Sequence, residues 1–247
     1  MFVDTHCHIE KEYADEYVKN ANLSGVSKIL TASEDYQSSK LAIDIANSYE
    51  GVFACIGVHP ENVDNFNDDD INKFRELLKY KKVKAIGEIG LDYHYGKENR
   101  DRQIEVFKIF LSLAEEYNLP VVIHSRDAIE DTIKVLKEYN KVVGVMHCFS
   151  GSYETAIEYI KLGFSLGIGG VLTFKNSKLY ETVKRLPLDK IVLETDSPFL
   201  TPEPYRGTPN ESKYIPLIAE CLANHLELSV GEVARRTTLN SCLIFDI

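Results

Sequence analysis

Eight short apolar or β-branched runs alternate with stretches of helical spacing, with no linker, repeat or low-complexity segment between them. They predict that this 247-residue chain folds as one α/β domain, a TIM-type (β/α)8 barrel over residues 1–247. The length agrees, since barrels of this kind run to about 250 residues undivided. A doubly wound open sheet is the rival arrangement of the same alternation. A hydrophobic content of 44% with 27% charged residues describes an ordinary globular chain.

Taken in order, the candidate strands are MFVDTH (1–6), KILTAS (28–33), VFACIGV (52–58), VKAIGEIG (83–90), PVVIHS (120–125), VVGVMHC (142–148), FSLGIGG (164–170) and IVLETD (191–196). The clearest helix between them is NRDRQIEVFKIFLSLAEEY (99–117), where Ile104, Phe107, Phe110, Leu111 and Ala114 recur at spacings of three and four. AIEDTIKVLKEY (128–139) and YETAIEYIKLG (153–163) read the same way, the second stopped by Gly163.

Composition excludes several functions. The five cysteines, Cys7, Cys55, Cys148, Cys221 and Cys242, are odd in number and form no Cys-x-x-Cys pair, which argues against a disulfide framework and a zinc ribbon. No apolar run approaches the roughly 18 residues that span a bilayer, and the first residues lack the pattern of a secretion signal, so the expected location is the cytoplasm, without a membrane partner. A formal charge of -10 argues against a basic, groove-hugging nucleic-acid binder. It leaves open an acidic protein whose metal ions supply positive charge to a phosphate substrate.

In a barrel, chemistry sits where strands end. Six of the seven histidines fall at or just after the candidate strand ends, His225 being the exception. The ends carry His6 and His8, His59, Glu88 with Asp92 and His94, His124, His147, and Glu194 with Asp196. His6 and His8 would leave one face of a strand together. Any one of these residues has an ordinary explanation as a hydrogen-bonding group or a helix cap. A closed barrel, however, gathers all the ends into one ring, and several independent coincidences there are less plausible than a metal centre.

Four imidazoles and two carboxylates exceed what one tetrahedral ion uses, whereas two ions sharing a carboxylate employ them all. Glu88, midway around the ring, is the natural bridge. This places His6, His8 and Asp196 with Glu88 on one ion, and His124 and His147 with Glu88 on the other. Imidazole-rich ligation favours zinc or manganese on affinity grounds, and ligand chemistry alone does not select the metal.

The segments FVDTHCH, GVHP, GEIGLDY, LPVVIHSRDA, HCFSG, TFKN and LETDSPFLTPEPYRG stand in the order and spacing of the TatD family of metal-dependent deoxyribonucleases, which the chain resembles over nearly its full length. The resemblance implies a TIM-type barrel holding two divalent cations, magnesium also admitted, for phosphodiester hydrolysis in DNA. It assigns His6, His8, Glu88, His124, His147 and Asp196 to metal-binding positions. His59, Arg126 and Arg206 match further signature positions, here taken as lining the site. Two departures stand out: Ser212 replaces a common proline, and Phe110 stands where the long helix often carries glutamine. Both leave substrate preference open.

Two-metal chemistry needs a proton acceptor, and Asp196 is the candidate. Glu194, two residues earlier, is expected deeper, accepting the free N–H of a ligand imidazole. Asp92 and His94 are weaker candidates for substrate contact. Arg126, Lys175 and Arg206 are candidate phosphate partners, and Tyr93, Tyr95, Phe174 and Tyr205 could stack on unpaired bases. The expected partner is DNA, single-stranded or offering an end, with no obligate protein partner. A barrel with the same centre could instead cleave a small ester, lactone, amide or phosphoester.

Overall fold

The computed structural model describes residues 1–247. Eight strands run parallel in chain order: β1 (Phe2–Cys7), β2 (Val26–Ala32), β3 (Val52–Ile56), β4 (Val83–Asp92), β5 (Val121–Arg126), β6 (Gly144–Met146), β7 (Phe164–Ile168) and β8 (Ile191–Leu193). Each coincides with a run read from the sequence, and the fold is the expected TIM-type (β/α)8 barrel. The ring closes at its C-terminal end. There Cys7 bridges to Ser197, the His8 N–H donates to the Ser197 carbonyl at 2.8 Å, and the Asp196 N–H donates to the His6 carbonyl at 2.9 Å.

Around the ring lie α1 (Ala14–Leu23), α2 (Tyr36–Ser48), α3 (Ile71–Leu77), α4 (Arg100–Tyr117), α5 (Ile129–Leu136), α6 (Tyr153–Lys161), α7 (Leu179–Val183), α8 (Ile215–Leu226) and α9 (Val230–Phe245). No helix is long and apolar enough to cross a membrane. Alternation along each strand sorts the core. Ile86, Ile89, Val121 and Ile123 face the helices, while Ala85, Val122, Val145 and Val192 fill the barrel with Leu30, Cys55 and Phe245.

Helix α4 buries the stripe that its spacing predicts, with Phe107, Phe110, Leu111 and Ala114 inside. Phe110 packs edge-on to Phe74 at 4.9 Å between ring centroids and lies 5.5 Å from Phe66. The first departure from the family pattern is therefore a feature of the core, remote from any rim contact. Five strands end earlier than expected, β2 by one residue, β3, β6 and β7 by two and β8 by three, where the chain leaves the ladder for the strand-end loops. Strand β6 stops before His147, β7 before Gly169, and β8 before Glu194.

Candidate metal centre

Inward-facing positions continue from the apolar interior into a polar mouth. Val122 leads to His124 on β5, Val145 to His147 beyond β6, and Val192 to Glu194 beyond β8. Glu88 needs a further device, since strict alternation from Ala85 would turn it outward. The register of β4 against β5 slips between Ile86 and Ile89, which leaves both isoleucines on the helix side and re-aims Glu88 inward. Gly87 fits this slip because a side chain there would meet the Val122 carbonyl at 2.6 Å.

Glu88 is buried and presents its two oxygens to two sets of imidazoles. Oε2 lies 3.3 Å from His6 Nε2 and 3.6 Å from His8 Nε2. Oε1 lies 2.7 Å from His124 Nδ1 and 2.8 Å from His147 Nε2. On the first side Asp196 Oδ1 stands 3.6 Å from His6 Nε2 and 3.9 Å from His8 Nε2. Within each set the imidazole nitrogens are 3.2 Å apart.

These separations fit a cation. With metal–nitrogen bonds of about 2.0–2.1 Å, the edge of a tetrahedron is roughly 3.3 Å. The five separations among His6 Nε2, His8 Nε2, Glu88 Oε2 and Asp196 Oδ1 run from 3.2 to 3.9 Å, at or somewhat above that length and mostly longer than hydrogen bonds. His124, His147 and Glu88 Oε1 form a tighter group of three donors, which leaves coordination positions free. The second group is drawn together by protons. Burial opposes charge on both imidazoles, but Asp92 and Glu88 raise His124, and Glu88 with Glu194 raises His147 well above the ordinary range. Burial likewise opposes charge on Glu88, yet the His147 and His6 imidazoles and bonds from His124 and His147 hold it well below the carboxylate range.

Outer partners orient the ligands. Asp92 Oδ2 is 2.8 Å from His124 Nε2, which turns Nδ1 toward Glu88. Residues 88, 90 and 92 share the inward face, and Gly90 between the two carboxylates lets the β5 backbone approach; a Cβ there would meet the His124 carbonyl at 2.0 Å. Gln103 of α4 fixes Asp92 by exchanging two backbone bonds with it, each 2.8 Å. Glu194 is buried and accepts the Cys148 N–H; it lies 3.5 Å from His147 Nδ1, which makes no hydrogen bond. Gly167 makes room, since a side chain there would strike Glu194 Oε2.

The remaining candidates divide. His59 joins the centre: its Nε2 is 3.6 Å from Glu88 Oε1, and its Nδ1 accepts the Glu61 N–H at 3.2 Å. Burial lowers its pKa to about 4, so the ring is neutral near pH 7 with its proton on Nε2, facing the site. Arg126, expected to meet phosphate, is engaged by two carboxylates instead, Asp92 at 2.7 Å and Glu61 at 2.9 Å, and so braces the Asp92–His124 pair. Arg206 and Lys175 are exposed on loops after β8 and β7, and the Arg206 guanidinium stacks 4.0 Å above the Phe174 ring. Tyr93, expected at the rim, is buried with its hydroxyl donating to Asp131 at 2.8 Å. His94 turns toward Asp127, at 3.1 Å.

Sequence reasoning missed a second polar layer beneath the ligands. Asp4 shares the inward face with His6. It accepts the hydroxyls of Thr195 and Ser212, each at 2.6 Å, and the His6 and Thr195 backbone N–H groups. The Ser212 Oγ also lies 3.0 Å from the Tyr17 hydroxyl. The second departure from the family pattern thus lies in the buried fastening between β1 and the long β8 loop. Burial pushes Asp4 up to about 7 despite these bonds.

A consequence can be measured by thermal unfolding. A cation at a hundredfold excess over its Kd stabilises the fold by about 2.7 kcal/mol, or roughly 5–10 °C for a chain of this size. Chelation is therefore expected to lower Tm by at least that much. Because His124 and His147 hold protons that a cation must displace, the stabilisation from a fixed metal concentration should be smaller at about pH 6 than at about pH 8. An identical Tm with and without chelator at both pH values would speak against cation binding here.

The sequence model of TatD-related DNases matches residues 3–246. The uncharacterized metal-dependent hydrolase YabD of Bacillus subtilis (strain 168) is 42% identical, with all of both chains covered. The crystal structure of YjjV, a TatD homologue from Escherichia coli K12, superposes with a TM-score of 0.94 at 29% identity, over 100% of this chain and 98% of that one. A lactonase of Deinococcus radiodurans shares the barrel with a TM-score of 0.64 at 10% identity, over 99% of this chain and 95% of that one, a likeness of fold alone. With a full-length family match and a full-length relative at this identity, the chain belongs to the TatD family of metal-dependent hydrolases.

Proposed function

We propose that the protein is a deoxyribonuclease that uses two divalent cations to hydrolyse DNA phosphodiester bonds, working from ends and preferring single strands or frayed ends. The observation that carries this reading is Glu88, whose two oxygens serve two separate donor sets at the mouth of a barrel belonging to the TatD-related DNase family. His6, His8 and Asp196 would hold one cation and His124 and His147 the other, with Glu88 between them.

When bound, the two cations would offset the phosphoryl charge, stabilise the leaving oxygen and make water more acidic. Asp196 accepts the proton of the attacking water. Its side chain is 15% exposed at the edge of the cluster, and burial with the Glu88 charge pushes it up to about 6 without a cation. His59 presents an N–H to a phosphoryl oxygen. Asp92, backed by Arg126, and Glu194 keep His124 and His147 in the tautomers that ligation requires. Arg206 and Lys175 meet phosphates outside the mouth.

With a net charge of -10 and few cations at the rim, DNA affinity should depend only weakly on salt. Log affinity against log salt is expected to have a slope of about -1 to -2, from two or three phosphate contacts at about -0.7 each. The deciding assay compares linear single-stranded DNA, covalently closed duplex and a set of lactones at fixed salt, with and without chelator. Chelator-sensitive digestion that is fastest on the single strand is expected. Rapid lactone turnover beside DNA cleavage no greater than that of a ligand-mutant control would overturn the nuclease reading.

A further inference from the structure

Three cavities border the loops that carry the candidate ligands; the one of about 630 Å³ between the β4 and β5 loops sets Asp127, Glu130 and Asp131 against Lys97 and Arg100, the latter paired with Asp131, and the other two differ in charge. The first, about 570 Å³, lies between the loops after β6 and β7 and is lined in part by Ser150, Ser152, Phe174, Ser177 and Lys178. Its near wall begins three residues beyond His147, a span of at most about 10 Å of extended chain. Its aromatic wall is braced. The Arg206 guanidinium lies 4.0 Å from the Phe174 ring centroid and donates to the Thr201 carbonyl at 3.1 Å, while the Glu203 N–H ties the β8 loop to the Thr173 hydroxyl at 2.9 Å. Glu181 is the one carboxylate lining this cleft, and it accepts the Tyr180 hydroxyl at 3.1 Å.

The second cavity, about 260 Å³, reaches His8 from the β1–β2 side and is bordered by Glu10, Glu34, Pro198 and Phe199, with no cationic residue in its lining. A strand carrying one charge per nucleotide is repelled by Glu10 and Glu34 there, whereas Lys178 offsets Glu181 on the β6–β7 side. Hydroxyl donors, an exposed lysine and an aromatic ring held by an arginine are the parts that bind a nucleotide without reading its sequence.

We propose that the cleft between the β6 and β7 loops is a subsite for the nucleotide next to the scissile phosphodiester on the polymer side. The base stacks on Phe174, and the phosphate faces Lys178 and the serine hydroxyls. The polymer thus leaves the metal centre over β6–β8. This assignment rests on the nuclease reading and deepens it.

The test is a chain-length series on the metal-loaded protein: bis(4-nitrophenyl) phosphate, a dinucleotide, a trinucleotide and a longer single strand. The readout is the ratio of kcat/KM for trinucleotide over the minimal diester. Phe174→Ala is expected to lower this ratio about tenfold, mainly through KM, and Phe174→Tyr to restore most of it, since either ring offers a stacking face. Lys178→Ala, at an exposed position that folding tolerates, should reduce the salt slope by about 0.7. A ratio within about twofold of wild type in Phe174→Ala, with an unchanged slope in Lys178→Ala, would overturn the subsite. Failure of the wild-type protein to cleave any member of the series above the Glu88→Gln control would instead remove the nuclease reading beneath it.

Discussion

Glu88→Gln is expected to reduce turnover by about a thousandfold or more, and to do so by emptying both halves of the centre. The substitution keeps shape and removes charge. Glu88 Oε2 faces two imidazoles and Oε1 three, at 2.7–3.6 Å, and Glu88 is the one carboxylate that faces both sets. His8→Ala and His124→Ala provide the contrast, because each touches only one set and should lower occupancy on its own side. The measurement is metal content of the purified variants beside turnover. The chelator-induced fall in Tm should shrink in parallel, most in Glu88→Gln. Two full equivalents of metal in Glu88→Gln would remove the bridging assignment.

The fold was legible because parallel strands covered on both sides read as short apolar runs, and eight of them matched the observed ladder in number and order. The candidate ligands could be picked out because histidine and carboxylate at strand ends have few other reasons to gather. What the pattern could not carry was backbone irregularity. The slip that turns Glu88 inward leaves no mark in a period of two, and neither does the early end of β8, where Asp196 takes a left-handed conformation with φ of 56°. Asp92 could have been placed more firmly, since it keeps parity with Glu88 across Gly90, whose missing side chain is itself a signal of close approach. Arg126 and Tyr93 have partners that the sequence did not point to. Their partners, Glu61 and Asp131, come from other parts of the chain, and only the closed ring brings them into reach. Ser212 is the extreme case, because its hydroxyl meets Asp4 at a sequence separation of 208.

Asp196→Asn is expected to leave the fold intact while lowering turnover by about 10²–10⁴-fold, the range for loss of a general acid–base group. Asparagine tolerates the left-handed backbone that Asp196 adopts, and the backbone bond from residue 196 to the His6 carbonyl does not depend on the side chain. Barrel closure at β1 and β8 therefore survives. Loss of function would then have two possible origins, since Asp196 Oδ1 also stands among the donors around His6 and His8. Metal content separates them, and so does the pH profile. A carboxylate that accepts a proton must be ionised first, so wild-type activity falls as pH drops through its pKa. Burial and Glu88 set that pKa at about 6 without a cation, and bound cations would move it lower. The residual activity of Asp196→Asn should lack this acid limb, whereas a variant that had merely lost one cation would keep it and recover at higher metal concentration. Near-normal turnover with both cations bound would assign the proton acceptor elsewhere, and His59, facing the same carboxylate from β3, would be the next residue to replace.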